Sequence, residues 1–442
     1  MKKLITLLAF GFCLNINAQN YISYFGGSGN DVSTCSIVLT NGLLVAGSTT
    51  SFGAQAKDVY ISKIDFSGNI LWSKMIGGFD DDEIYSIVKT SDKNYVLTGY
   101  TKSSTPAGMD NYNALIMKID SSGNLLWAKV YGGMNPDCGL SVIEAKNKDI
   151  IVSGFTSSIG AGSSDMLLMR TDSTGNLKWF KSYGGTDSEA GNSLVELDNG
   201  DIACVGTTIV TSTGTSNIVC IKTDSTGQLK WQNKYNPSAY NSVLKRTGVQ
   251  ILYLPDKNLL LTGKVGNDFV GAAAPYLLKL DTAGAVLWGY SYTINSGSCG
   301  AYNIYEMPSS IGYIMYAYMG SEPVLLEINT AGYSSWCYNY TISSKGGSVN
   351  FIPNIGFEII GSTNLPSDSS VILIQTNING TAPCDMNQPA GYGNTNALST
   401  TVSALTFSSS SLSNQGAVVF TDTSVNSVST SICTNVSIED YN

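Results

Sequence analysis

The sequence predicts an all-β protein, a seven-bladed β-propeller. Three observations predict it: a repeat of about fifty residues, one turn-and-tryptophan signature at a fixed phase of that repeat, and a first strand that completes the last unit. Stacked arrays and propellers carry periods of this size, with four strands per propeller blade.

The signature is D-x-x-G-x-x-x-W. Its tryptophans are Trp72, Trp127, Trp179, Trp231, Trp288 and Trp336, and its glycines are Gly68, Gly123, Gly175, Gly227, Gly284 and Gly332. Asp or Asn opens each turn, at Asp65, Asp120, Asp172, Asp224, Asp281 and Asn329. An acidic or amide side chain caps a type I turn, and glycine then takes the left-handed position, so the pattern is a hairpin with a three-residue loop. Four residues after each Trp stands Ile76, Tyr131, Tyr183, Tyr235, Tyr292 or Tyr340, on the same face of the outgoing strand. These rings are expected to be buried where one blade packs on the next.

The other strands follow from the same frame. A β-run precedes each hairpin, and before it comes a V-x-G-x-T-like segment, as at 96–101 and 152–156. A further strand lies ahead, as at 85–90, giving four per unit, a to d. Lys63, Lys118, Arg170, Lys222 and Lys279 recur two residues before the hairpin acid. They are expected to cover apolar surface with their stems while their charges stay in water.

The chain ends fix closure. A seventh hairpin at 377–380 has no Trp after it. Tyr21 to Gly27 aligns with Trp179 to Gly185, with Tyr21 in the Trp position. The first strand is therefore expected to become the outer strand of the seventh blade, beside 371–376. That closes the ring and leaves no mismatched joint.

Residues 1–18 read as a cleaved signal peptide, with Lys2 and Lys3 before an apolar stretch and a small-residue cleavage site at Ala18. The propeller is placed at 19–383 and a Ser/Thr-rich segment at 384–442. That segment is expected to be a small β appendage or a stalk, with Cys384 and Cys433 as a candidate disulfide. No run is long enough for a transmembrane helix. The expected product is secreted or cell-surface, and monomeric.

The net charge of −9 and the lack of a basic cluster argue against a nucleic-acid partner. The chain contains no His, which excludes His-based triads and His zinc sites but leaves carboxylate or tyrosine chemistry open.

The strings at 120–133 and 95–101 resemble the propeller repeats of secreted Bacteroidetes proteins, many of them exported by the type IX secretion system. The resemblance implies the architecture and export, and no particular activity. The Tyr-Pro-Asn-Pro-like start of a type IX sorting domain is not seen after Cys384.

The b–c loops are long and variable, and the d–a connections open on the same face. In the first units those connections carry Asp31, Asp82, Asp137 and Glu189, the candidate ligand contacts. Such a ring can hold Ca²⁺ or a hydroxylated ligand, and no other cofactor is implied. With no singular catalytic motif, the expected function is a non-catalytic binding or adhesion scaffold for an extracellular glycan or protein. The alternative is a polysaccharide hydrolase or lyase using loop-face carboxylates.

Overall fold

The computed structural model describes residues 21–52, 56–103, 111–237, 245–267, 272–294, 299–308, 311–320, 322–340, 344–363, 369–379, 392–397, 400–404, 421–424 and 428–434. Strand β1 (Tyr21–Gly26) comes first. Blade 1 is β2 (Asp31–Leu39), β3 (Gly42–Thr49), β4 (Asp58–Ile64) and β5 (Ile70–Gly77). Blade 2 is β6 (Asp82–Lys89), β7 (Tyr95–Thr101), β8 (Asn113–Ile119) and β9 (Leu125–Tyr131). Blade 3 is β10 (Asp137–Glu144), β11 (Ile150–Thr156), β12 (Asp165–Thr171) and β13 (Leu177–Tyr183). Blade 4 is β14 (Ser188–Glu196), β15 (Ile202–Ile209), β16 (Ser216–Thr223) and β17 (Leu229–Pro237). Blade 5 is β18 (Lys245–Tyr253), β19 (Leu259–Asn267), β20 (Ala272–Leu280) and β21 (Val286–Ile294). Blade 6 is β22 (Cys299–Glu306), β23 (Gly312–Met319), β24 (Glu322–Asn329) and β25 (Ser334–Asn339). Blade 7 is β26 (Ser344–Ile352), β27 (Gly356–Thr363) and β28 (Val371–Gln375), completed by β1.

The closure is as the sequence predicts. Strand β1 runs antiparallel to β28, with Phe25 opposite Val371 and Ile22 opposite Ile374. The first strands of successive blades touch all round, and β26 touches β2, so the ring is closed. Apolar clusters fill the seams between neighbouring blades. One joins Ala46 and Ile61 to Ile84 and Leu97, and another joins Phe25 and Leu373 to Val45 and Tyr60.

The signature residues hold those seams. Asp65 Oδ1 accepts from the backbone N–H groups of Ser67 at 2.8 Å and Asn69 at 2.9 Å, and Gly68 is left-handed at φ 82°. At the described hairpins from Gly123 to Gly332, the indole of the preceding blade then lies on the hairpin glycine. A Cβ on Gly175 would stand 3.0 Å from Trp127, and one on Gly227 would stand 3.2 Å from Trp179. The tyrosine four residues later donates to the same glycine, Tyr235 Oη to Gly284 O at 2.8 Å and Tyr292 Oη to Gly332 O at 2.9 Å. The tyrosines are fully buried, whereas the tryptophans are half-buried, because the indole edge stays at the outer rim.

The recurrent cations behave differently from expectation. Lys118, Arg170 and Lys279 are buried, and they pair with acids of the a–b turns. Arg170 Nε lies 2.7 Å from Asp149, Lys118 Nζ 2.7 Å from Asp92 and Lys279 Nζ 2.5 Å from Asp256. A buried charge needs such a partner, and the turn supplies it where the sequence reading left the charge in water.

The C-terminal segment contributes strands to the outside of the ring. Strand β29 (Tyr392–Ala397) pairs with β21, β30 (Thr400–Ala404) with β17, β31 (Thr421–Ser424) with β5 and β32 (Val428–Thr434) with β1. Cys433 lies in β32, while Cys384 lies outside the described residues.

Candidate functional site at the loop face

The innermost strands share one irregularity. Each carries a β-bulge, an extra residue on one strand that re-aims a side chain. The extra residues are Thr34, Tyr85, Leu140, Asn192, Val249 and Tyr302 in blades 1 to 6, with Gly346 and Gly347 in blade 7. All of them line a single axial hollow of about 650 Å³. The glycine of V-x-G-x-T makes this bulge possible. A Cβ on Gly99 would sit 1.8 Å from Glu83 O, and one on Gly206 would sit 1.8 Å from Ala190 O. A Cβ there makes the neighbouring strand shift, so glycine is favoured at the bulge, and blade 6 keeps the bulge with Ala317 in that place.

The residue after that glycine faces the same end of the ring. It is Ser48, Tyr100, Phe155, Thr207, Lys264, Tyr318 and Ser362 in blade order, with Ala317 replacing the glycine in blade 6. In blades 2 and 3 these residues build an aromatic shelf. Ring centroids are 6.1 Å apart for Tyr85 and Tyr100, 4.9 Å for Tyr100 and Tyr112, and 6.3 Å for Tyr112 and Phe155. Glu83 borders the shelf, accepting from Tyr100 Oη at 3.3 Å and pairing with Lys57 at 3.6 Å.

Across the axis, a second hollow of about 440 Å³ opens between blades 4 and 6. It shares Asn192, Val249 and Tyr302 with the axial hollow and adds Lys264 and Tyr318. Tyr318 is buried and fixed, its hydroxyl donating to Gly346 O at 2.5 Å and meeting Tyr316 Oη. Tyr302 stands edge-on to it, with ring centroids 5.1 Å apart, and is 48% exposed. Its hydroxyl makes no hydrogen bond among the described residues. The Lys264 stem lies over Gly300, where a Cβ would come 3.0 Å from Lys264 Cδ. Burial pushes the neighbouring Cys299 thiol up to about 12, with Cys337 adding to the effect and Lys264 opposing it.

The four acids singled out from the sequence occupy other ground. Asp31, Asp82 and Asp137 are 0% exposed and Glu189 is 3% exposed. Each stands first or second in an inner strand and ties the d–a loop to its own blade. Backbone N–H groups of Gly27, Gly78, Gly133 and Gly185 donate to them at 2.6, 2.9, 2.8 and 3.2 Å. Ser51, Ser103 and Ser158 donate from the b–c side at 2.7, 2.9 and 2.7 Å, and Thr208 does so to Glu189 at 2.7 Å. This explains the Gly-Gly pair of the early units, whose second glycine supplies the N–H.

The first glycine of that pair makes room for a second polar group from the preceding blade. A Cβ on Gly184 would lie 1.8 Å from Asp165 Oδ1 and 2.7 Å from Glu189 Oε2. A Cβ on Gly132 would lie 2.3 Å from both Asn113 Oδ1 and Asp137 Oδ2, and one on Gly77 would lie 1.7 Å from Asp58 Oδ1. The seams thus set Asp58 against Asp82, Asn113 against Asp137 and Asp165 against Glu189. Asp82 Oδ1, Asp137 Oδ1 and Asp165 Oδ1 have no hydrogen-bond partner among the described residues. Burial, with Asp58 adding to it, pushes Asp82 up to about 6 against the donors from Thr101, Gly78 and Ser103. Burial and then Glu189 push Asp165 up to about 7. Like charges this close favour one shared proton. Asn113 shows the same geometry in neutral form, because an amide is the isostere of a protonated carboxyl. Among the described residues no three Asp, Glu, Cys or His side chains come together as a metal-binding group.

Several solved structures share the fold. The polysaccharide lyase Uly1 superposes with a TM-score of 0.50 at 9% identity, over 78% of this chain and 90% of that one. A protein from Lactobacillus plantarum gives 0.49 at 12%, over 84% and 96%. An α-L-arabinanase of Penicillium chrysogenum, solved with arabinobiose, gives 0.46 at 10%, over 66% and 92%. No protein-family model matches the sequence, and no curated protein does. The Uly1 likeness speaks for the fold alone, and the topology defines the class as the seven-bladed β-propeller. That likeness also corrects the scaffold expectation. It rested on uniform units in a closed ring, and a polysaccharide lyase is built on this fold too, so uniformity is no sign of a non-catalytic role.

Proposed function

We propose that this chain is a polysaccharide-acting enzyme, exported through the 1–18 segment by a type IX-like route, which cleaves its substrate at the loop-face end of the axial hollow. One observation carries the reading: Tyr302, half-exposed and with a hydroxyl unpartnered among the described residues, projects where the two hollows meet. The aromatic shelf of blades 2 and 3 offers flat apolar faces against which sugar rings can lie.

The walls favour elimination over hydrolysis. Hydrolysis needs two carboxyl groups flanking the glycosidic bond. The described residues lining the two hollows include no carboxylate, and the buried acids already accept hydrogen bonds within their own blades. In an elimination, the ionised Tyr302 oxygen takes the proton from the carbon that neighbours a sugar carboxylate. The C–H electron pair becomes the new double bond, and the bond to the leaving oxygen breaks. Tyr302 returns the proton to that oxygen, so no water or oxidant is consumed. Proton transfer of this kind contributes about 10²–10⁴-fold.

The test is a panel of uronate-bearing, sulfated and uncharged polysaccharides incubated with the full chain. The reading predicts a fall in polymer mass with new chain ends that absorb in the ultraviolet. No fall in mass with any polymer contradicts it.

A further inference from the structure

Resting on that reading, we infer that the aromatic shelf of blades 2 and 3 is an anchoring track that holds sugars several units away from the bond that is cut. The enzyme then selects long chains and cuts within them. Tyr85 and Tyr302 are the bulge tyrosines of blades 2 and 6, so they stand on opposite sides of the axis of a seven-bladed ring, and both line the axial hollow. Tyr85 also begins the shelf. Tyr100 follows at 6.1 Å with the ring planes 35° apart, then Tyr112 at 4.9 Å and Phe155 at 6.3 Å. A chain whose reacting sugar lies at Tyr302 crosses the hollow before it meets the first ring of the track. The track then leads on past Tyr85 to Phe155, so the anchored sugars lie apart from the cut.

The fold does not require these rings. Blade 1 builds the same register with Thr34, Ser48 and Lys57 in the places of Tyr85, Tyr100 and Tyr112. Blade 4 builds it with Asn192, Thr207 and Ser216, and Thr207 is also the counterpart of Phe155. The tyrosines that pack the seams, Tyr131 and Tyr183, are 1% exposed, whereas all four shelf rings keep part of their surface in solvent. They are nonetheless held in place. Tyr100 Oη donates to Glu83 at 3.3 Å, and the Tyr112 carbonyl accepts from the Asp137 N–H at 2.8 Å, which ties it to blade 3. Phe79 and Met134, on the loops that lead into blades 2 and 3, are 96% and 93% exposed. A contiguous apolar patch kept in solvent marks a binding surface. A pyranose ring has an apolar face of C–H groups and a rim of hydroxyls. Its face fits an aromatic side chain, and its rim meets tyrosine hydroxyls and Glu83. Tyr85 makes the track continuous with the hollow, and this names the occupant as the flanking stretch of the chain being cut.

The experiment first measures kcat, KM and Kd of the wild type on uronate-bearing, sulfated and uncharged polysaccharides, each as the intact polymer and as sized fragments down to disaccharides. The inference predicts a KM that falls as the chain lengthens, and internal cuts that shrink the polymer before small fragments accumulate. The same measurements follow on Tyr100→Thr/Tyr112→Ser, which copies residues of the sister blades, and on Tyr100→Phe/Tyr112→Phe, which keeps both rings, after melting curves establish that each folds. Tyr100→Thr/Tyr112→Ser is expected to raise KM and Kd for the intact polymer about tenfold or more, the scale of a lost aromatic anchor, with kcat largely retained. A group that binds ground state and transition state alike moves KM alone. The phenylalanine variant is expected to stay close to wild type. Phe155→Thr, which copies Thr207, reads the same split should the Thr/Ser variant fail to fold. A KM independent of chain length, polymer binding unchanged in the Thr/Ser variant, or a fall in kcat with KM unchanged overturns the inference while leaving the enzyme reading standing. Binding that depends on length and on the rings, without cleavage of any polymer, supports the track and overturns the enzyme reading. No binding of any polymer overturns both.

Discussion

Blades 1 to 4 and blades 5 and 6 are built from one repeat, yet they treat the start of the inner strand in opposite ways. In the first group an acid ties the d–a loop to the b–c loop, and the seam from the preceding blade brings a second polar group against Asp82, Asp137 and Glu189. In the second group the place of the acid is taken by Arg246 in blade 5 and Cys299 in blade 6, opposite Val265 and Met319, and a hollow opens beside Cys299. The clasp therefore works as a structural element that holds loops down and leaves little of its chemistry exposed. Where the clasp is absent, Lys264, Tyr302 and Tyr318 line the second hollow. On the proposed reading, position in the ring separates stability from function.

The strongest way to break the clasp is to fill the space it uses. Gly184→Ala places a Cβ on top of Asp165 Oδ1 and Glu189 Oε2. We expect a loss of about 3 kcal/mol, the upper scale for overpacking a well-filled site, read as a lower midpoint in urea. A midpoint unchanged from wild type would mean the seam is loose.

A gentler change sharpens the comparison. Asp82 and Asp165 have folded-state values raised above the ordinary carboxylate range. The folded state therefore binds a proton that the unfolded state has released, and stability falls as pH rises. The window for Asp165 runs from its ordinary value near 3.8 to about 7. The pair facing Asp165 is Glu189, with Asp187 and Lys234 acting on Glu189 in turn. Asp149, Asp201 and Asp256 act in the opposite sense. Their cationic partners hold them below the usual range, so their contribution is lost as pH falls through their lowered values. Stability should peak in mildly acidic solution. Asp165→Asn, which copies the natural Asn113, should melt at least as high as wild type above about pH 7 and flatten the decline there. A steeper decline in that variant would show that Asp165 is ionised in the folded protein.

Much of the fold was legible because its signals are local. The turn chemistry of D-x-x-G, the Trp–Tyr spacing and the split seventh unit depend on residues close in sequence, and the structure has them as read. The acids were found by position, but their burial was not. Whether a loop acid meets water or a neighbouring blade depends on Asp58, Asn113 or Asp165, each more than twenty residues away. The buried Arg170–Asp149 pairs were missed for the same reason. Lys264 and Tyr302 were passed over because each looks like an ordinary strand residue. A signal was present: the residue after the V-x-G glycine varies freely inside an otherwise strict motif. Its meaning needed the bulge, which only the strand register reveals.

The measurement that bears most directly on this division is cleavage by two variants side by side, Tyr302→Phe from the open sector and Glu189→Gln from the clasped one, on whichever polymer the wild type cuts. Phenylalanine keeps the ring against Tyr318 and removes only the hydroxyl. The account predicts kcat lowered about a hundredfold or more by Tyr302→Phe, the scale of a lost proton-transfer group, with an unchanged melting midpoint. It predicts that Glu189→Gln shifts the midpoint and retains kcat at temperatures where it is folded. The reverse pattern, full activity in Tyr302→Phe and none in folded Glu189→Gln, would contradict it and return the chemistry to the acids of the seams.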